Sequence, residues 1–376
     1  MNRSICSKSV FLGWLRGASV LVLVASWLSV VEAQSSWDQI VSSAEKEGAI
    51  VIFGQGGTHI RNGLIQGFSK KYPKIQVEYS GARGSRIASK VLTQRRAGRF
   101  LVDLVSSGPT SLVTALKPAG ALDPIQKFLV GPDVQDPSKW MGGKFEFSDD
   151  DGKYLFVYLT FVGVPFVYNP DLVSSDEFTS WWDLLKPKWK GKIIISDPKV
   201  PGPGMGRVAR WYLNKELGKD FIRQLFLQQD VGISRNRRQM LDWVARGRYS
   251  IALGFATGLA IRMIDKGVNI RMMDPYALKE AADSLSGSAG IMAVFNKPPH
   301  PNAVKVYLNY LLSREGQYEL SKAMKLPSRR LDVPQDHLPE TVYPIKQGMK
   351  IQNTYNEASV RVRVKARKFV TSILKK

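Results

Sequence analysis

The chain has 376 residues, 44% of them hydrophobic, with 54 Lys and Arg against 32 Asp and Glu and a formal charge of +22. That length suits two domains or lobes, each with a buried core. The only cysteine, Cys6, lies in a segment that export would remove, which excludes a disulfide framework and a thiol nucleophile from the mature protein.

The basic balance suits nucleic acid, an anionic membrane face or anionic solutes. The charges are mostly scattered, so we expect no nucleic-acid partner. Arg3, Lys8 and Arg16 form a basic n-region, Gly17 to Val31 is apolar and uncharged, and Val31-Glu32-Ala33 offers small residues before a cleavage point at Gln34. The apolar run is shorter than the ~20 residues of a bilayer span. Residues 1–33 therefore read as a secretory signal peptide and the protein as soluble and exported. Three bases leave with one acid, Glu32, so cleavage takes the charge from +22 to +20.

After the signal, Trp37 to Gly48 reads as a helix stopped by glycine. Ile50–Phe53 is an apolar strand, Ile60, Leu64 and Phe68 mark one helix face, and Ile75, Val77 and Tyr79 alternate as a half-buried strand. Thr58 and Ser85 are each placed to cap a helix. "FLVDLVSSG" is a third strand, and a helix starts near Thr110 and stops before Pro118. Repeated strand–helix units predict a largely parallel sheet covered by helices. Residues 126–153, with Pro132, Pro137 and "SDDDGK", read as a surface excursion whose acids are solvated. "YLFVYLTFVGVPFVYN", divided by Gly163 and Pro165, suits a strand passing between lobes.

A second series follows. Trp181–Leu185 is helical, Lys192–Ser196 is a strand, and a helix runs from Met205 to Leu217 and ends at Gly218. "VGISR" and "YSIALGF" are strands on either side of a helix over Arg237–Ala245, and "NIRMMDP" is another strand. "SGSAGIMAVFN" reads as the return crossing, and Asn302 to Met324 as a helix. The tail "RVRVKARKFVTSILKK" has seven bases and no acid, with Val362, Ala366, Phe369 and Ile373 on one stripe, and reads as a docked amphipathic helix.

The glycine turn after the first strand has the outline of a dinucleotide loop. The fingerprint positions are Gly54, Gly56 and His59, and the bulky ring at the third position argues against a cofactor there. Its exposed N–H groups and helix dipole still suit an anion. "SSGPTS", "SDPKVPGPGMGR" and "GFATG" are loops of the same kind, so two lobes facing each other would form a cleft lined by helix N-termini. His300 and His337 sit in proline-flanked loops and read as solvated, and no cysteine pair, acid cluster or H-x-x-x-H has metal spacing. Neither a cofactor, a metal nor a catalytic residue is expected.

Several segments together resemble the periplasmic solute-binding proteins of ABC importers, in the branch that contains the ferric-iron-binding proteins. They are "AEKEGAIVIFG", "FSKKYPKIQVEY", "RRAGRFLVDLV", "LKPAGALDPI", "GVPFVYNPDLV" and "SWWDLLKPKWKGKIIISDP". The resemblance implies an α/β, two-lobed periplasmic-binding fold of type II, with two crossing hinge strands and a ligand cleft, read in its closed form by membrane permease subunits. The divisions expected are 34–164 for the first part of lobe 1, 165–288 for lobe 2, 289–330 for the return to lobe 1, and 331–376 for an extension packed on the lobes. The iron binders carry adjacent tyrosines where this chain has Ala256 and Thr257, and hard ferric iron needs anionic oxygen donors. The expected ligand is instead a small anionic organic solute, with ferric iron or an iron chelate, and then a secreted hydrolase, as alternatives. Arg83, Arg86 and Arg207 suit the charge of such a solute. Its contacts would be Gly56, Gly57, Thr58, His59, Ser107 and Thr110 from the first lobe and Gly204, Met205, Arg235 and Ala256 from the second. Tyr168 and Ser288 would lie at the crossings, and the protein would be a non-enzymatic monomer.

Overall fold

The computed structural model describes residues 36–280, 283–286, 290–340, 342 and 351–375. The signal segment and Ser288 lie outside these residues. After a helix over 36–47, α1, the first unit runs β1 (Ala49–Gly54), α2 (Thr58–Lys71), β2 (Gln76–Gly81), α3 (Gly84–Arg96) and β3 (Leu104–Ser107). It continues as α4 (Pro109–Ser111), which widens into a π-helical turn over Leu112–Leu116, then β4 (Leu122–Asp123), α5 (Pro132–Gln135) and β5 (Phe156–Val157). Strands β2, β1 and β3 are parallel neighbours.

The chain then leaves through β6 (Phe161–Val162) and enters a second sheet at β7 (Phe166–Tyr168). There follow β8 (Ile193–Ser196), α6 (Pro203–Leu213), α7 (Gly218–Gln228), β9 (Gly232–Ser234), α8 (Arg237–Ala245), β10 (Ile251–Leu253), α9 (Thr257–Ile264) and β11 (Arg271–Met272). The strand order is β11-β7-β10-β8-β9, with β9, β8 and β10 parallel and β7 antiparallel to its neighbours. After β12 (Asp283–Ser286), β13 (Ile291–Phe295) returns to the first sheet, antiparallel to β3. α10 (Pro301–Leu311) and α11 (Arg314–Met324) cover that sheet, and β14 (Ile351–Asn353) leads into α12 (Glu357–Ile373). β14, β12 and β6 form a small third sheet between the two large ones.

Each large sheet has its own core. Ile50, Ile52, Leu104, Met292 and Tyr307 are buried together in one, and Phe166, Trp181, Ile193, Trp211 and Phe221 in the other. The tail helix joins both. Val360 packs with Leu112 and Leu116 of the first lobe, whereas Ala366 and Val370 pack with Val208 and Trp211 of the second.

Several local expectations need correction. Gly57, not Thr58, is the N-cap of α2, and Arg83, not Ser85, is that of α3, both without a side-chain cap. A left-handed Gly218 (φ 56°) opens α7 instead of ending a single long helix. Trp181–Leu185 winds as a 3₁₀ turn with a Ser180/Asp183 capping box. Asp149 is not solvated, because it accepts from the backbone N–H groups of Lys153, Tyr154 and Leu155. His300 is not free either: its Nδ1 lies 2.8 Å from the wholly buried Asp103, and His337 Nε2 lies 2.8 Å from Ser321 Oγ.

Candidate functional site

In open α/β sheets the loops beyond the carboxyl ends of the strands make the binding crevice. Here those loops follow β1, β2 and β3 in the first lobe and β8, β9 and β10 in the second.

In the first lobe, Gly56, Gly57 and Thr58 are exposed and His59 is half-buried. Gly57 has φ 143°, and a Cβ there would lie 2.9 Å from His59 Cε1, so the ring rests against bare backbone. Ser107 is buried, and a Cβ on Gly84 would lie 3.0 Å from its hydroxyl, which brings the start of α3 and the β3 loop together. Arg83, just before α3, is exposed. Thr110 Oγ1 accepts a 2.9 Å bond from Arg363 Nη1.

In the second lobe, Gly204 sits where a side chain would overlap the Ser196 carbonyl. Gly254, at φ 60°, would place a Cβ 2.7 Å from the Gly204 Cα. These glycines let two cleft loops pack backbone to backbone. Met205 is buried behind them, on the inner side of α6. Ala256 is the N-cap of α9 and is half-exposed. Arg235 Nε is 2.9 Å from Asp197, which also accepts from the Lys199 N–H. Arg235 is thus tied to its own lobe through that nitrogen.

Tyr168 is placed differently from the expectation. In the antiparallel register it pairs with Ile251, at the start of β10, whereas Phe166 pairs with Leu253, next to the cleft loop. Tyr168 is therefore at the far end of the sheet from the crevice, buried against Phe166. Its phenol packs in the core and does not line the crossing.

Two arginines that loop placement alone did not identify complete the site. Arg237, the first residue of α8, comes 3.5 Å from where a Gly202 Cβ would be. Its guanidinium is pulled below the usual range by burial and by Arg83 of the opposite lobe. Arg262 on α9 is likewise lowered by burial. Burial, helped by Arg262, pulls His59 down to about 4, so its imidazole is neutral at neutral pH. Arg83 is thus near enough to Arg237, and Arg262 to the neutral His59 ring, for charge to act between the lobes. Lys325 pairs with Asp265 at the end of α9 in a solvent-exposed contact. The available signal was the helix pitch: a residue in the first or second turn after a cleft loop still reaches the mouth of that loop.

Residues 55–318 match the family described as bacterial extracellular solute-binding protein. Among solved structures, iron-bound HitA from Pseudomonas aeruginosa is similar, with a TM-score of 0.66 and 17% identity over 86% of this chain and 99% of that one. The substrate binding protein of the ABC transporter from Agrobacterium tumefaciens gives 0.67 and 16% over 87% and 96%. The periplasmic binding protein AfuA from Actinobacillus pleuropneumoniae, with exogenous fructose-6-phosphate bound, gives 0.61 and 16% over 87% and 98%. No curated protein sequence matches the chain significantly. With two α/β lobes around a crevice and a family match over well above half its length, the chain belongs to the bacterial extracellular solute-binding proteins and has their two-lobed, type II periplasmic-binding fold.

Proposed function

We propose that the protein is the non-enzymatic solute-binding component of an ABC importer, and that its cleft takes a small organic anion bearing a phosphate, phosphonate or carboxylate group. The observation that carries this reading is the nearness of basic groups between the lobes, Arg83 to Arg237 and Arg262 to the His59 ring. Arg83 and Arg237 repel when the lobes meet, whereas His59 stays neutral beside Arg262. An anion between them turns that repulsion into attraction, and the forked guanidinium matches carboxylate and phosphate geometry. The contacts exist together only when both lobes touch the solute, so binding shifts the population toward closure. The exposed amides at Gly56 and Gly57 add donors at the start of α2. Neutral His59 offers one donor and one acceptor and no charge of its own.

The same reading makes residues 1–33 a cleaved signal, the mature protein a periplasmic monomer, and the permease subunits its partners. It takes 34–164 with 289–330 as one lobe, 165–288 as the other, and 331–376 as an extension on both. Ferric iron fits less well. Ala256 and Thr257 hold the loop after β10, where the iron binders it resembles carry adjacent tyrosines.

The test is thermal unfolding of residues 34–376, freed of carried-over ligand, against sugar phosphates, phosphonates, di- and tricarboxylates and ferric citrate. A ligand at about a thousandfold over its Kd adds about 4 kcal/mol, or several degrees. A strong shift with one organic anion, absent from Arg237→Gln, is the expected result. A shift with ferric salts and a coloured complex, and none with organic anions, would overturn it.

A further inference from the structure

Beside the cleft, α6 and α12 carry three arginines that no carboxylate among the described residues neutralises. Arg207 and Arg210 stand three residues apart on one side of α6. Arg207 is only 5% exposed. Its Nη2 donates to the Val164 carbonyl, and its guanidinium lies 4.9 Å from the centre of the Trp181 ring. The Nε atoms of Arg207 and Arg210 are both buried and have no hydrogen-bond partner. Arg363, from α12, donates through Nη1 to Thr110 Oγ1 at 2.9 Å and through Nη2 to the Thr354 carbonyl. Among the described residues none of the three forms an ion pair.

Burial lowers all three guanidinium groups. Arg207 falls well below the usual range, with Arg210 beside it; Arg210 falls to about 9, with Arg363 beside it; and Arg363 falls to about 10. A guanidinium keeps its proton at physiological pH, so the energetic demand is for a counter-charge. Desolvated like charges without a partner are costly.

We propose that the space between α6, α12 and Thr110 is an oxyanion site, which takes a tetrahedral phosphate bridging Arg210 and Arg363 with the buried Nε of Arg207 behind them. The phosphate is either free or the terminal group of an organic ester reaching in past Thr110. Arg363 holds Thr110 of the first lobe while Arg207 and Arg210 belong to the second. A bound phosphate therefore ties the two lobes through α12; as the end of an organic ester it rests on the cleft reading above, and as a free ion it stands apart from that reading.

The experiment titrates residues 34–376 with inorganic phosphate and with a sugar phosphate, followed by thermal unfolding and Trp fluorescence. It compares wild type with Arg210→Gln, Arg363→Gln and a cleft control, Arg237→Gln with Arg262→Gln. Inorganic phosphate should stabilise the wild type, and the cleft control should keep the part of that response which the α6/α12 variants lose. Either α6/α12 variant should weaken phosphate roughly tenfold or more, since each loses charge-assisted bonds, and should unfold at a higher temperature than wild type in phosphate-free buffer. Competition between the two ligands in the wild type assigns the site to the ester's phosphate end, and simultaneous binding assigns it to the free ion. The proposal is overturned by a wild type indifferent to phosphate, by α6/α12 variants with unchanged affinity, or by a response lost only in the cleft control. Loss of the sugar phosphate response alone in that control bears on the cleft reading and leaves this site standing.

Discussion

Two groups of arginine in this molecule have opposite surroundings. Arg330 is 0% exposed, yet every part of its guanidinium is answered. Nη2 reaches Asp133 at 2.6 Å, Nε reaches Asp332 at 2.7 Å and Nη1 reaches the Leu312 carbonyl at 2.8 Å. Burial would lower its pKa, but these partners raise it above the usual value. Arg207, Arg210 and Arg363 have carbonyl, hydroxyl and ring contacts and, among the described residues, no carboxylate. The first arrangement is complete within the chain and serves the fold. The second is complete only with something added, and it lies where the lobes meet.

The largest effect should come from breaking the complete group. Arg330→Met removes charge-assisted hydrogen bonds to Asp133 and Asp332, both partly solvated, and leaves the Leu312 carbonyl unpaired, and should cost about 3 kcal/mol. Denaturant unfolding with an unchanged m-value would measure it. If the loss were no larger than at a surface pair, the contrast would fail. Next, Arg237→Gln with Arg262→Gln should leave folding intact and weaken an organic anion by about 2 kcal/mol in all, read by calorimetric titration. That result would place the cleft arginines with the incomplete group.

A smaller effect is expected at the start of α12. Glu357 accepts from Lys117 Nζ at 2.6 Å, from Arg361 and from the Asp150 N–H at 3.0 Å. Burial would raise its pKa, but the bonds from Arg361, Lys117 and Asp150 hold it at about 2. A depressed carboxylate contributes stability above its unfolded value of 4.5 and loses it as pH falls toward 2. Glu357→Gln should flatten the acid limb of the stability profile across that window and cost about 1–2 kcal/mol at neutral pH.

The smallest effect is the titration of His59. Its folded pKa of about 4 lies below the ordinary 6.5, so protonation favours the open or unfolded chain. Stability should be full above pH 6.5 and fall between 6.5 and 4, and His59→Gln should remove that component. An unchanged profile would mean that the ring is not held against Arg262.

Much of the fold is legible in the chain. The alternation of apolar strands with helix stripes marks both sheets, and Gly163 and Pro165 mark the break between β6 and β7. The glycine loops are recognisable because close backbone approach needs glycine, as at Gly204 and Gly254. Register is not legible. Tyr168 reads as a crossing residue, but three residues of antiparallel pairing carry it to the far end of the sheet. Capping signals mislead at Thr58 and Ser85, where the glycine turn and the Arg83 backbone open the helices instead.

The class of molecule follows from the order of residues alone, because hydrophobic period, glycine placement and the shared segments of a family are local patterns along one dimension. Which cations stand alone is settled only in three dimensions. Arg235 directly follows β9 in the chain, yet its partner is Asp197, 38 positions away. Arg330 belongs to Asp133 from 197 positions away, and Arg363 to Thr110 from 253. Coulomb energy depends on distance through space and on the water excluded there, and neither quantity is written in the order of the residues.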